Sequence, residues 1–322
     1  MKNFLKKYFL GLTLKEEYIC LSYENIEKPM KIYLQLQDRS LIDISNSQVM
    51  LGYKPLIIGI CKNLLLDDIQ LLNIKEIKLH FGISENEITA KLNMSVLKVE
   101  NLNFKSVVLL IGNKGKHNFS PYFQKSFRNL HYKILAKKEK NIYLKGNLYD
   151  QVKIAYSFPR KIYLASLGEN GFYNIFPTDI SGKFNDEYFA LSLRSKSKAN
   201  KQLKKIGNCV IAEMHSDSCE KVYKLGRNHM KELEEVSSFD IELNTFRSKI
   251  LNLILPKAAT RYYELKSTDK KIEIGLHTVH FLKIINSEKL SDENSTLAHI
   301  HRDYAEWRLK NKIQTNFLIK GN

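Results

Sequence analysis

Short stretches in which apolar residues run unbroken or alternate with polar ones recur along the chain, and they predict strands more often than helices. In the first part of the sequence, residues 33–36, 56–60, 87–92 and 107–111 read this way, while residues 64–77 fit a helix or two turns. Beyond residue 157 the pattern sharpens. Residues 161–167 and 187–193 predict strands. Residues 197–206 place Ala199, Leu203 and Ile206 on one helical face, with Ser197 as N-cap and Gly207 just past the end. Residues 209–214 predict another strand and 219–236 a second helix. Residues 272–285 read as one long strand. With a period of two, its even positions, His280 among them, form the buried face, and His277 falls on the mixed face beside Gly275, where a ligand can approach.

The stretch 160–214 therefore reads as strand, Gly/Asn-rich turn, strand, hydroxyl- and cation-bearing loop, helix, strand. It brings small residues, apolar walls and phosphate-type ligands together, which is what a flat, phosphorylated cofactor needs. Ser192, Arg194, Ser195 and Ser197 lead straight into the helix start, where free N–H groups and the helix dipole favour an anion. Arg194 is one of few arginines in a lysine-dominated chain, and its planar fork suits a phosphoryl group. The turn 171–178, with Asn174, Phe176 and Pro177, offers a slot for a flat ring.

Composition narrows the classes. The chain has 322 residues, 43% of them apolar, with 17 Tyr and 16 Phe, enough for one large or two ordinary packed domains. Its apolar runs are too short for a membrane helix, and its N-terminus lacks a secretory pattern, so a cytoplasmic protein without a membrane partner is expected. The four cysteines show no C-x-x-C spacing and are expected to be free thiols. The net charge of +17 invites an anionic partner. It is densest over residues 114–140, where Phe119, Tyr122, Phe123, Phe127 and Tyr132 interleave with lysines, as a single-strand-binding platform would require. The same stretch also reads as a solvated connector with inward aromatics. No nucleic-acid-binding signature accompanies it, and nucleic acid is not the expected partner. This segment marks the best domain boundary, giving an accessory domain over residues 1–125, of unassigned role, and a second domain over 126–322.

Other chemistries find less support. His277, His280, His299 and His301 lie close in sequence, but no cysteine or carboxylate completes a metal-ligand spacing, and no metal is expected. There is no G-x-S-x-G, Walker loop or G-x-G-x-x-G, and no catalytic side-chain cluster is assigned.

From about residue 157 to 307 the chain resembles the flavin reductase-like family. The resemblance rests on FPRKIYLASLGENGFYNIFPTDIS, then EYFALSLRSKSKANKQLKKIGNCVIAEM, then LPKAATRYYELK and IEIGLHTVHFLKII. It implies an α+β, mostly-β fold, an FMN-binding split β-barrel preceded here by a smaller, β-rich N-terminal domain. It implies that Asn174, Phe176 and Thr178 line the flavin ring, that Ser192, Arg194, Ser197 and Asn200 hold the phosphate, and that His277 lies at the ring's outer edge. It further implies FMN as cofactor, NAD(P)H as hydride donor and a homodimer. A barrel that binds flavin or a partner without turnover is the other reading. Two segments depart from the family: the polar insert 179–186, which can displace ring contacts, and LAHIHRDYAEWRLKN, whose His301, Arg302, Tyr304 and Trp307 either close over the pocket or pack.

Overall fold

The computed structural model describes residues 8–11, 13–14, 16–37, 39–61, 74, 76–102, 105–138, 142–239, 244–292, 295–313 and 316–318. Most of residues 64–77, expected as a helix or turns, lie outside them.

Three sheets and a two-stranded ribbon organise the described residues. A small sheet ties the chain ends together: β1 (Tyr18–Ser22) pairs with β19 (Leu297–His301) and with β20 (Phe317–Leu318), and β19 also pairs with β9 (Arg160–Lys161). The N-terminal sheet has seven antiparallel strands: β2 (Lys31–Leu36), β3 (Ile42–Asp43), β4 (Gln48–Tyr53), β5 (Leu56–Cys61), β6 (Ile77–Gly82), β7 (Ile88–Leu102) and β8 (Lys105–His117), in the order β3-β2-β6-β7-β8-β5-β4. The C-terminal sheet also has seven: β10 (Tyr163–Glu169), β11 (Phe172–Thr178), β12 (Ser181–Lys183), β13 (Tyr188–Arg194), β14 (Asn208–Met214), β17 (Ala259–Ile274) and β18 (His277–Lys289), in the order β11-β10-β14-β17-β18-β13-β12. The ribbon is β15 (Thr245–Arg247) with β16 (Ile254–Pro256). The architecture is α+β and mostly β, with the sheets curled into half-barrels.

The two large sheets share a core. Val49, Leu51, Ile57 and Leu109 of the first pack with Phe184, Tyr188, Ala190, Val279 and Phe281 of the second. Burying apolar side chains of that size removes them from water at roughly 1.5–3 kcal/mol each. The division at residue 125/126 falls within the helix Tyr122–Lys138, and the helix Asn147–Ala155 packs on β8. The first strand stands apart from the N-terminal sheet altogether and joins the C-terminal end of the chain.

The strands expected at 33–36, 56–60, 87–92, 107–111, 187–193 and 209–214 are all present. So is the helix, Lys198–Ile206. Ser197 Oγ accepts from Asn200 N, and Gly207, at φ 75°, closes the helix with its N–H on the Leu203 carbonyl. Residues 272–285 are not one strand. Gly275 turns the chain back at φ 57°, making β17 and β18 a hairpin, and a Cβ there would strike the Lys54 carbonyl of the other sheet. Leu276 N donates to that carbonyl at 3.2 Å. Parity consequently fails at the start of β18, where both faces are covered and His277 and His280 are equally buried. The helix expected over 219–236 stops at Lys224 and continues as a 3-10 segment, Leu225–Met230, with Gly226 at the change. All four cysteines are buried thiols outside any disulfide. Among the described residues no helix is long and apolar enough to cross a membrane.

Candidate functional site

In a strand, residues two apart share a face, and antiparallel pairing sets partners side by side. Ser192 and Arg194 therefore lie on one face of β13, and the register puts Arg194 opposite His277 on β18. Phe176 and Thr178 likewise share a face of β11. These residues, with Ser197 at the helix start, line one cavity of about 640 Å³. That volume is in the range of small-molecule and cofactor pockets.

Six of the eight residues singled out from the sequence, Phe176, Thr178, Ser192, Arg194, Ser197 and His277, are in this lining. Asn174 and Asn200 are not. Asn174 donates through Nδ2 to Gln202 Oε1 at 2.8 Å and to the Lys231 carbonyl, so it ties β11 to the helix. Asn200 donates to the Ser195 carbonyl and accepts from His280 Nε2 at 2.7 Å. Both amides are buried and serve the protein's own network, one strand or one turn away from the cavity wall. Ser197 Oγ also donates to the Arg194 carbonyl at 2.7 Å, so its first job is the helix cap.

His277 is the informative member. Ser192 Oγ donates its single proton to the Leu51 carbonyl at 2.6 Å. Its 3.3 Å contact with His277 Nδ1 then requires that nitrogen to be the donor. Burial first, and Arg194 second, hold the ring at about 4, so it is neutral at physiological pH. The neutral ring with its proton on Nδ1 leaves Nε2 as a bare acceptor, and Nε2 is buried without a partner. Orphaned buried acceptors are uncommon, and a ligand N–H or O–H is one remedy. The Tyr53 ring, 4.8 Å away, stands edge-on to the imidazole.

The rest of the wall is largely aromatic, and of its tyrosines only Tyr132, in the basic segment, is marked by a sequence pattern. Tyr18, Tyr53, Tyr132, Tyr149 and Tyr156 contribute rings, with Tyr132 and Tyr149 stacked at 3.7 Å. Tyr53 ends β4 at the turn into β5, and Tyr132 stands on the helix Tyr122–Lys138. The aromatics of the basic segment thus divide: Phe119 and Tyr132 turn inward, whereas Tyr122, Phe123 and Phe127 are exposed. Arg128, from the same helix, is buried against Asp303 at 3.0 Å, and Lys153 reaches that carboxylate at 3.2 Å. Of the C-terminal residues, Arg302 lines the cavity, Tyr304 is buried, and Trp307 packs on Phe119.

The insert 179–186 also enters the site. Asp179 Oδ2 accepts from His299 Nδ1 at 2.8 Å and from the Tyr156 hydroxyl at 3.0 Å. Burial alone would raise the Asp179 carboxyl, but these two bonds and the His299 charge outweigh it and hold it below the ordinary range. With Nδ1–H directed at the carboxylate, His299 Nε2 is left for the Tyr223 hydroxyl, which in turn accepts from Cys20 Sγ at 2.9 Å. Tyr156, Asp179 and His299 form a line of proton-carrying groups in the cavity lining, with Tyr223 behind them. Burial, helped by Asp179, pushes the Tyr156 phenol well above its usual value, so it stays protonated. Among the described residues, no group of three or more His, Cys, Asp or Glu is arranged to hold a metal ion.

No family model matches the chain, and no curated protein matches it. Solved structures similar to it include the flavin reductase component of a bacterial two-component tryptophan halogenase, at 12% identity over 54% of this chain and 98% of that one, with a TM-score of 0.41. An NADH:FAD oxidoreductase from Streptomyces globisporus has 11% identity over 49% of this chain and 92% of its own, at 0.41. An FMN-binding protein from Thermus thermophilus has 13% identity over 41% of this chain and 72% of its own, at 0.36. Likeness at this level assigns the chain neither cofactor nor activity.

Proposed function

We propose that the cavity binds a flavin mononucleotide and that the chain is an oxidoreductase using it, with NAD(P)H as the source of hydride. The observation that supports this best is a convergence: Arg194, the capped start of a nine-residue helix and the orphaned His277 acceptor meet in one aromatic-walled cavity. Each fits a different part of the nucleotide. Arg194 and the helix start suit the phosphoryl group. His277 Nε2 suits an N–H at the edge of the ring. Phe176, Tyr53 and Pro177 suit its faces.

Bound there, a flavin would supply hydride acceptance and donation. The side chains would bind it, shut out water and hold protons. His299 holds one at Nδ1 against Asp179 Oδ2, and Tyr156 keeps its own on the same oxygen. This pair is the candidate proton store of the cavity. The N-terminal residues serve, in this reading, as the roof over the pocket. Walls from both halves of a single chain enclose it, so the homodimer implied by the resemblance is a separate question for sedimentation.

The test is an absorbance titration of the purified chain with FMN, followed by anaerobic NAD(P)H. Saturable binding that weakens about tenfold or more in Arg194→Ala is expected, since a charge-assisted phosphate contact is worth at least ~1.4 kcal/mol. Bleaching of the bound flavin by NAD(P)H is expected next. Binding without bleaching would leave the non-catalytic reading, and no binding would end both.

A further inference from the structure

We infer that a second cavity, which shares Asp179 with the first, is a binding site for an oxyanion, a carboxylate or phosphoryl group on a small ligand. This cavity, of about 490 Å³, is walled by the segment 158–161, by β12, by residues 45–50 of the N-terminal half and by Arg261 and Lys289. Five cationic side chains and three carboxylates line it.

Arg160 carries the inference. It is only 5% exposed. Its Nε donates to the Ala155 carbonyl at 3.1 Å and its Nη1 to Gln48 Oε1 at 2.7 Å, both neutral acceptors. Its Nη2 is buried with no hydrogen-bond partner. Among the described residues no carboxylate comes within 4.0 Å of the guanidinium, although Asp179 is near enough to be felt. Burial draws Arg160 down to about 10, so it remains a cation at neutral pH. The Phe158 face, 5.1 Å away, offsets only part of that cost. A buried charge without a counter-ion is expensive, and folded proteins normally pair it.

A second buried group points the same way. Ser181, 9% exposed and also in the lining, has a buried hydroxyl without a partner. The three carboxylates are already occupied. Glu24 accepts from Thr296 N at 2.6 Å, Glu213 from the Tyr263 hydroxyl at 2.8 Å and from Lys161 at 2.9 Å, and Asp179 from His299. An oxyanion would give Nη2 its counter-charge and Ser181 its acceptor at once. The guanidinium fork matches carboxylate and phosphate oxygens better than it matches a neutral hydroxyl. Arg261, which forms no ion pair among the described residues, would draw the anion in, helped by the exposed Lys183, whose ammonium is shared with Asp186 at 2.8 Å.

The experiment is calorimetric titration of the full chain with inorganic phosphate and, separately, with succinate. Saturable binding of at least one is expected, accompanied by a rise in the thermal midpoint. Phosphate alone would mark a phosphoryl ligand, and succinate alone a carboxylate. Arg160→Met is expected to weaken binding at least about tenfold, and Ser181→Ala to weaken it less. FMN affinity at the first cavity is expected to be unchanged in both, so the two sites fail independently. Neither probe binding below about 10 mM, or undiminished binding in Arg160→Met, would overturn the proposal. If that variant does not fold, Arg261→Ala with Lys183→Ala decides the matter, and unchanged affinity there overturns it too.

Discussion

Strands β5 and β13 hold matching places in the two seven-stranded sheets, each next to an edge strand. β5, with the sequence LIIGIC, is buried and apolar from end to end. β13, YFALSLR, is as well buried for six residues, yet it carries Ser192 among them and ends on Arg194. Its neighbour β18 adds His277, Thr278 and His280, all buried. The two strands therefore differ in what they bury: β5 holds hydrocarbon alone, whereas β13 and its neighbour hold hydrogen-bonding groups beside the cavity, and the first sheet's buried His80 and Gln48 lie on other strands. Buried polar groups cost stability unless satisfied, and at β13 and β18 they gather along the wall of the first cavity. The N-terminal sheet takes part by surface rather than by chemistry, through the Tyr53 ring and the Leu51 carbonyl.

The comparison breaks if the sheets are independent folding units. Phe281 lies fully buried in the core they share, packed with Leu51 and Phe184. Phe281→Ala should cost about 3–5 kcal/mol. If the sheets unfold together, one cooperative denaturant transition will shift as a whole. Two transitions, only one of them displaced, would show that the shared core does not couple them.

Acid sharpens the contrast. Burial, the largest cause for each, holds His80 on the first sheet and His277 and His280 on the second at about 4. The unfolded chain takes these protons near 6.5, so the folded state is at full advantage above that value and loses it as pH falls from 6.5 toward 4. For a single well-buried ring the loss is on the order of 3 kcal/mol. Urea midpoints should therefore fall steeply over this window. Replacing His80 should remove less of the slope than replacing His277 and His280 together, and a flat profile would contradict the burial of all three.

Much of this contrast is legible in the sequence, because strands, caps and turns are local. Ser197, Gly207 and the run of β13 announce themselves through period and end signals, and the resemblance puts Arg194 and His277 in one place. The failures share a cause in tertiary contact. Gly275 reads locally as a gap in a long strand, and only the approach of Lys54 from the other sheet makes it a turn. Asn174 and Asn200 have the chemistry of ligand-binding amides, and nothing local shows that Gln202, Lys231 and His280 occupy them. Tyr18, Tyr53 and Tyr156 reach the cavity from three elements far apart in the chain, with no spacing to connect them. Asp179 stands beside Thr178 in the polar insert, 120 residues from His299. That distance hides the pair, and sequence spacing alone groups His299 with the other histidines instead.

The orphaned acceptor separates a ligand site from a structural histidine. His277→Leu removes an unpartnered polar atom from a buried position and gives up only the long 3.3 Å bond from Nδ1 to Ser192, so stability should hold within about 1 kcal/mol. FMN affinity should nonetheless fall severalfold, about 1 kcal/mol, because the ring N–H loses its acceptor. A variant that is less stable and binds FMN equally well would place His277 in the core and not in the site.

The smallest effect tests the bond that joins the two sheets at the pocket. Ser192 Oγ donates to the Leu51 carbonyl, and it is this donation that leaves His277 with its proton on Nδ1. Ser192→Ala should cost about 1 kcal/mol for the lost hydrogen bond. It should also release the tautomer, so that Nε2 can carry the proton and no longer accept. FMN affinity would then drop in Ser192→Ala but not drop further when His277→Leu is added, because both changes remove the same acceptor. A double-mutant cycle reads this directly as non-additivity. Additive losses would mean that serine and histidine act separately, and that the hydroxyl of β13 only pins the N-terminal sheet in place. Nitrogen-15 shifts of the imidazole in the single variant distinguish the two neutral tautomers, and they answer the same question without any ligand present.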